Sequence, residues 1–204
     1  PREFDNRDIG FCREKDLMAT EVAEHLEVHR HPEPTNFWTK YIFSIDHKVI
    51  GIQYIILAIV AVFVGMGLSL LVRLRLVWPE EPIEILGTLF PVGAPDGVMT
   101  PEFYLAMLTM HGTMMVFMVL TTAPQGGFGN YILPIQIGAA DMAFPTLNML
   151  SFWTTFLSFI TLVAAFFVQG GAPISGWTAY PPLSALDEAA IAGYGQDLWI
   201  LSIA

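Results

Sequence analysis

Three long apolar stretches constrain the fold of this 204-residue chain more than any other feature of its sequence. Each is long enough to cross a hydrocarbon core of about 30 Å as a helix that rises about 1.5 Å per residue. They cover approximately residues 49–72, 102–123 and 148–169, and a fourth begins near residue 198. Because lipid offers no hydrogen-bond partners to a backbone, these stretches must be helical. The sequence therefore predicts an all-α, polytopic transmembrane helical bundle.

Composition agrees with a membrane location. Hydrophobic residues make up 54% of the chain and charged residues only 14%, whereas soluble domains carry about a quarter charged residues. We expect contact with membrane lipid and none with nucleic acid. The fourth stretch is only a few residues long when the sequence reaches Ala204. We therefore expect a fragment of a longer polypeptide, with a polar tail at 1–36 and a membrane region at 37–204.

The basic residues predict the orientation in the membrane. All nine Lys and Arg residues lie in the first 75 positions, and seven precede the first apolar stretch. The positive-inside rule then places the tail in the bacterial cytoplasm or its mitochondrial equivalent. The predicted location is thus a bacterial plasma membrane or a mitochondrial inner membrane, crossed several times. The only cysteine, Cys12, lies in the tail, and its sequence context indicates no function.

A histidine lies in the middle of the second apolar stretch. His111 needs a partner inside the protein, because an imidazole in a bilayer core has no water to bond. One interpretation is a hydrogen bond across a helix interface to a carbonyl or hydroxyl group. The other is an axial haem ligand, in which one ring nitrogen binds iron and the other donates a hydrogen bond. Gly112 then leaves room for a flat macrocycle.

Two charged residues near the ends of the stretches also have alternative interpretations. Arg73 ends the first stretch, either as an interfacial arginine or as a partner of haem propionate or formyl groups. Asp141 is the only acid between residues 103 and 186. It is either a helix N-cap or loop carboxylate, or a proton entry port, with Asn130 and Asn148 holding water nearby. Residues 121–145 contain so much glycine and proline that they are expected not to be helical.

Five ordered motifs carry a resemblance to a known family. From about residue 37 onward, the chain resembles the N-terminal part of subunit I of the haem-copper terminal oxidases, the cytochrome c oxidase family. The motifs are Asp46-His-Lys-Val-Ile-Gly51-Ile-Gln-Tyr54, Leu70-Leu-Val-Arg73, His111-Gly-Thr-Met-Met, Gly126-Gly-Phe-Gly-Asn130 continuing through Gly138-Ala-Ala-Asp141-Met-Ala-Phe-Pro145 to Leu147-Asn148, and Gly176-Trp177-Thr-Ala-Tyr180-Pro-Pro-Leu-Ser184.

The resemblance implies an activity and its partners. The chain would supply the first helices of a twelve-helix subunit that reduces oxygen to water and pumps protons. Cytochrome c would be the electron donor, through a dicopper centre on subunit II, and subunit III and a larger respiratory supercomplex are further expected partners. The high-spin haem and copper would be bound by residues beyond Ala204, so this stretch alone would not be catalytically complete.

The resemblance also implies roles for individual residues. His111 would be one of two axial ligands of a low-spin haem, expected to be of the a type, with Gly112 beside it. Arg73 would hydrogen-bond the periphery of this haem, and Trp177 and Tyr180 would lie near its propionates. Asp141 would open a proton-uptake pathway. The residues expected to order water along that pathway are Asn130, Asn148 and Tyr54.

The chain departs from the family pattern at several positions, and alternatives remain open. Arg75 stands where many mitochondrial members have a glutamate that helps to bind a cation, and Thr146 stands where an arginine is frequent. The positions that bind quinol in quinol oxidases hold apolar residues, which favours cytochrome c as donor: Val64, Leu68, Phe103 and Ala106. Other readings are a quinol oxidase, a dihaem cytochrome b, a nitric oxide reductase, or a non-redox anchor or transporter.

Overall fold

The computed structural model describes residues 36–169, 171–185 and 193–204, and these ranges contain helices and no β-strand. The predicted tail lies outside the described residues except for Asn36, and so does Cys12. A short π turn (Trp38–Ile42) precedes α1 (His47–Val77), and α2 (Glu84–Leu89) and a 3₁₀ turn (Pro95–Gly97) follow it. The second span consists of α3 (Pro101–Thr113), a π-helical segment (Met114–Gly129) and α4 (Asn130–Ile137). Then come α5 (Pro145–Ala164) and α6 (Tyr194–Ile203).

Three helices are long and apolar enough to cross a membrane, namely α1, the second span and α5. This confirms the predicted all-α, multi-pass membrane fold. The observed bounds differ from the predicted ones at the ends. The first helix was expected at 49–72 and runs from His47 to Val77, so both arginines, Arg73 and Arg75, lie within its last turns. The third was expected at 148–169 and ends at Ala164, while α6 begins at Tyr194 rather than near 198.

The expectation that residues 121–145 are not helical is wrong for most of that range. The second span continues through Pro124 and the glycines as far as Ile137. Pro124 has no N–H, so the α-helical bonding pattern cannot pass through it unchanged. The segment around Pro124 is a π-helix, a local change in winding that gives the backbone N–H and C=O groups other hydrogen-bond partners. Thr121 and Thr122 support it by donating to carbonyl groups five residues earlier, each at 2.9 Å.

The glycines of this segment allow a close approach to α1. A Cβ on Gly126 would lie 2.7 Å from the ring of Tyr54, and a Cβ on Gly127 would lie 2.7 Å from the Ile55 side chain. Gly51 on α1 faces them, since its Cβ would lie 2.9 Å from the Gly127 carbonyl oxygen. Small residues at the contact of two membrane helices let the backbones pack directly. The glycine run is thus a helix interface, which sequence composition alone did not distinguish from a loop.

Local signals explain where the helices begin and end. The Asp46 side chain accepts from the Lys48 amide at 2.8 Å and caps α1. Thr100 caps α3 by accepting from the Phe103 amide, with Pro101 in the first helical position. Gly138 ends α4 with φ of +71°, a left-handed conformation that favours glycine. The chain then turns through residues 139–144 into α5.

The three spans place two groups of connections at opposite ends of the bundle. We call the end that holds the start of α1 and the 138–144 turn the Asp141 side. The other end, the Arg73 side, holds residues 78–100 and 165–185. There α2 and the following turns form a small cap around Leu86, Ala94 and Met99, all buried. Between the ends, methionines of the second span fill the core against α1, with Met107, Met110 and Met114 fully buried.

Candidate functional site

His111 is half-buried and faces α1 from the second span. Its Nδ1 lies 2.8 Å from the carbonyl oxygen of Gly65. A carbonyl oxygen only accepts, so Nδ1 carries the proton and donates. With the proton on Nδ1, the metal-binding tautomer has its lone pair on Nε2, which is the arrangement of a metal-binding histidine oriented by a backbone carbonyl. A Cβ at Gly65 would meet the terminal methyl of Met115, a flexible side chain that would have to shift, and would lie 3.8 Å from Nδ1 of His111.

The glycine after this histidine packs against an aromatic side chain. A Cβ on Gly112 would lie 3.1 Å from Cδ1 of Trp177, so the indole fits tightly onto the helix there. This contact gives Gly112 a packing reason that the sequence did not reveal. Trp177 also lies edge-on to Phe117, at 6.5 Å between ring centroids. Tyr180, the other residue predicted for this region, is 73% exposed.

The two arginines at the end of α1 have different surroundings. Arg73 is exposed, and among the described residues it makes no hydrogen bond or ion pair, so its side chain is available to a further group. Arg75 is half-buried next to the cap, beside Trp78 and Glu81 in a small cleft. One guanidinium nitrogen of Arg75 is buried without a hydrogen-bond partner in the described part of the chain.

Asp141 is bonded to a residue for which the sequence indicated no role. The ring nitrogen Nδ1 of His47 lies 3.1 Å from Oδ1 of Asp141, joining the start of α1 to the turn before α5. His47 is only 5% exposed, and Asp46 lies near it as well, at 3.9 Å. The second ring nitrogen, Nε2, is buried and has no hydrogen-bond partner among the described residues.

The hydrogen bonds to Asp141 in the described structure involve one of its two oxygens. Oδ1 accepts from His47 and from the Met142 amide, which is 2.7 Å away. Both donors hold the same oxygen, and no hydrogen bond to Oδ2 comes from the described residues. The interpretation of Asp141 as the cap of the third span is wrong, because Phe144 is the N-cap residue of α5 and no side chain caps it.

The other residues predicted for a proton pathway lie on three helices. The Tyr54 hydroxyl, deeply buried on α1, donates to the Ser151 hydroxyl on α5 at 3.1 Å. Asn130 is buried and donates to the Gly126 carbonyl of its own helix at 2.7 Å. Asn148 is half-buried, and its amide nitrogen has no partner within the described ranges. These groups make no direct hydrogen bonds to Asp141 in the described structure.

Three residues of this region were missed by sequence reasoning: Gly65, His47 and Ser151. Gly65 lies in an apolar helix, but Gly67, two residues later, has nothing within 4 Å of an added Cβ, so the sequence did not single out Gly65. Ser151 lies three residues after Asn148, hence on the same helix face. The pairing of His47 with Asp141 joins residues 94 positions apart, and no local pattern signals it. In the described residues, no group of three or more His, Cys, Asp or Glu side chains could hold a metal ion.

Comparison with known proteins gives one consistent result. The family described as cytochrome c and quinol oxidase polypeptide I matches residues 49–204. The chain is 39% identical to an alternative cytochrome c oxidase subunit 1 of Bradyrhizobium diazoefficiens over 196 residues, which are 96% of this chain and 30% of that protein. It is 40% identical to cytochrome c oxidase subunit 1 of Synechocystis sp. over 185 residues, which are 90% of this chain and 29% of the relative. The chain thus spans about 30% of the length of these curated relatives.

Proposed function

Because the chain belongs to the cytochrome c and quinol oxidase polypeptide I family, we propose that it forms the first membrane helices of the catalytic subunit of a respiratory terminal oxidase. The reaction of the whole enzyme is the reduction of oxygen to water with proton translocation. This chain contributes one ligand of a low-spin haem and the entrance of a proton pathway. The remaining haem and copper ligands belong to other parts of the complex.

The observation that carries the proposal is the orientation of His111. Its Nδ1 donates to the Gly65 carbonyl at 2.8 Å, which leaves Nε2 free to bind iron. A carbonyl acceptor fixes both the tautomer and the ring plane of a ligating histidine. The haem, expected to be of the a type, would supply reversible one-electron transfer when bound. Gly112 and Trp177 shape the helix surface beside the ligand. Arg73 is exposed and makes no ion pair among the described residues, so it offers its guanidinium to the haem periphery, where Tyr180 is a further candidate.

The Asp141 side supports a role in proton uptake. Asp141 is held through one oxygen by His47 and by a backbone amide, and its other oxygen, which has no partner within the described ranges, would accept the proton. Tyr54, Ser151, Asn130 and Asn148 lie further along the helices and provide hydroxyl and amide groups that bind ordered water. Protons would pass from Asp141 to this water, since direct hydrogen bonds do not join the residues.

Cytochrome c is the proposed electron donor. The residues at the positions that bind quinol in the quinol oxidases all belong to the apolar core, with Leu68 and Ala106 buried and Val64 and Phe103 packed against them. No side chain among these four can hydrogen-bond a quinone. Subunits II and III are the proposed partners, and association with a larger respiratory complex is compatible with the exposed apolar surface of the spans.

The proposed orientation places the N-terminal tail and Asp141 on the inner side of the membrane. Cys12, the only cysteine of this chain, is a natural probe for it. In right-side-out vesicles, a membrane-impermeant maleimide should leave the Cys12 peptide unlabelled until detergent is added. Labelling of intact vesicles would reverse the topology and remove Asp141 from the uptake side.

The haem proposal is tested by replacing His111 in the assembled oxidase. His111→Ala should abolish the low-spin haem absorption and reduce turnover by ~100-fold or more, beyond what changes around a ligand usually cause. Met107→Leu, four residues earlier on the same helix, is the matched control, because a volume-conserving change in the core is tolerated. A normal low-spin spectrum in His111→Ala would refute the assignment of this ligand.

A further inference from the structure

A cluster of buried polar side chains lies on the face of α3 opposite His111. We call Thr109, Thr113, Trp199 and the Gly176 amide the threonine cluster. Thr109 accepts from the Gly176 amide at 3.0 Å, and Thr113 accepts from the indole nitrogen of Trp199 at 2.9 Å. Both hydroxyls are essentially inaccessible, at 1% and 0% exposure, and Trp199 is 7% exposed. The cluster therefore ties α3 to the 171–185 connection and to α6.

Each hydroxyl of the threonine cluster both donates and accepts a hydrogen bond within the protein. Thr109 donates to the Leu105 carbonyl at 2.9 Å, and Thr113 donates to the Thr109 carbonyl at 2.8 Å. Each hydroxyl thus has one donor and one acceptor within the protein, so it has no need of water. A saturated network in a low-dielectric interior favours one geometry, because any displacement leaves a buried polar group unpaired.

The position of this cluster relative to His111 gives it a functional meaning. At 3.6 residues per turn, Thr109 and Thr113 share one helix face, and His111, two residues from each, lies on the opposite face. His111 bonds to α1 through Gly65, while the threonine cluster bonds to α6 and the 171–185 connection. Bonds on two opposite faces fix the rotation of the helix about its axis. Rotation is the motion that would turn the imidazole away from a bound haem.

The cluster also acts on the aromatic residue beside the ligand. Gly176 has a φ of +78°, and its amide is held by Thr109. The next residue, Trp177, packs onto Gly112, which is adjacent to His111. The bond to Thr109 therefore sets the point from which the indole approaches the helix.

We propose that Thr109, Thr113 and Trp199 are positioning residues for His111, setting the orientation of the imidazole and of Trp177 against the low-spin haem. This inference rests on the proposed function, since it requires His111 to be the ligand. A residue that only stabilised the fold would alter the yield of protein and leave the properties of the bound haem unchanged.

The experiment uses Thr113→Val and Trp199→Phe in the assembled oxidase. Thr113→Val keeps the shape of the side chain and removes the acceptor for the indole, while Trp199→Phe removes the donor. Each should retain the haem, broaden and shift its low-spin electron paramagnetic resonance signals, and change the reduced-to-oxidised ratio at a fixed ambient potential several-fold. Because both changes remove one bond, the double variant should be no worse than the worse single variant.

Two controls keep the result interpretable. Thr113→Ser retains the hydroxyl and should restore the wild-type signals. Thr154→Val removes an exposed hydroxyl that bonds only to its own helix, at 2.9 Å from the Leu150 carbonyl oxygen, and should change nothing. If Thr113→Val does not assemble, Thr113→Ser and Trp199→Phe decide the question.

The two proposals fail in different ways. If the low-spin signal survives in His111→Ala, the proposed function fails, and this inference fails with it. If the signal is lost in His111→Ala while Trp199→Phe and every assembled Thr113 variant keep wild-type signals and reduced ratios, only the positioning role is overturned.

Discussion

The polar groups at the Asp141 side differ from those around the ligand helix in how fully they are paired. At the Asp141 side, several buried atoms have no hydrogen-bond partner within the described residues: His47 Nε2, Gln53 Oε1, Asn148 Nδ2 and Trp153 Nε1. In the threonine cluster, by contrast, both hydroxyls and the indole nitrogen are bonded to other parts of the protein. On that side of the bundle, the buried atoms without a partner in the described part of the chain are Gln196 Nε2 and Arg75 Nη1, which lie outside the cluster.

The difference indicates two kinds of task. A buried polar group without a protein partner is normally satisfied by an ordered water, which can exchange. A group that is fully bonded to protein holds one position. Spare hydrogen-bonding capacity therefore suits a region that passes protons, and saturation suits a region that must keep a metal ligand in place.

The largest effect is expected from a change at Asp141, the proposed proton entry. Asp141→Asn keeps the size of the side chain and an accepting oxygen, but the amide cannot titrate. We expect the oxidase to assemble with unchanged haem spectra and to turn over about 100-fold more slowly, the lower range of what a positioned proton-transfer group contributes. Oxygen consumption and proton release by reconstituted vesicles measure this.

Asp46 provides the matched control for that prediction. It is an aspartate on the same side, caps α1 and is more exposed than Asp141. Asparagine caps helices about as well as aspartate does, so Asp46→Asn should turn over almost normally. If the two changes lowered turnover equally, the negative charge on this side would determine the rate, and Asp141 would not be a specific proton entry.

Replacing His47 tests whether proton uptake requires the Asp141 carboxylate to be held by a hydrogen bond. His47→Leu removes one of the two donors to Asp141 Oδ1, whereas His47→Asn retains an N–H close to the position of Nδ1. A lost hydrogen bond to a charged group is worth roughly 1.5–3 kcal/mol, so we expect the leucine variant to lose at least about tenfold in turnover. The asparagine variant should lose clearly less. Wild-type turnover in His47→Leu would mean that the bond has no part in uptake.

The smallest effect is expected from a change in the packing of Gly126 against Tyr54 of α1. Gly126→Val forces a branched side chain against Tyr54 and should destabilise the protein by roughly 1–3 kcal/mol, as overpacking does. Gly67→Ala is the control, since nothing lies within 4 Å of its added Cβ, and a gain of up to ~1 kcal/mol in helix stability is expected. Thermal unfolding in detergent measures both, and tolerance of Gly126→Val would remove the packing explanation for the glycine run.

The sequence predicted the membrane fold because hydrophobic length is a local property. It failed at residues 121–137, where glycine and proline normally indicate a break and here serve a π-wound interface. His111 was identified because an imidazole in an apolar run is conspicuous, but its carbonyl partner on α1 depends on how two helices pack. The same limit applies to Asp141, whose partner His47 is 94 positions away. Individual residues were therefore open to prediction, while the bonds that orient them were not.

The length of α1 has a consequence for the lipid. Between Lys48 and Arg73 the helix rises about 38 Å at 1.5 Å per residue, close to the ~40–45 Å of a bilayer that includes its headgroups. A thinner membrane is accommodated by tilt of the helix, whereas a thicker one draws a charged end toward hydrocarbon. Lipids with longer or shorter acyl chains therefore displace the Arg73 side through hydrophobic mismatch, without any change in the protein's sequence.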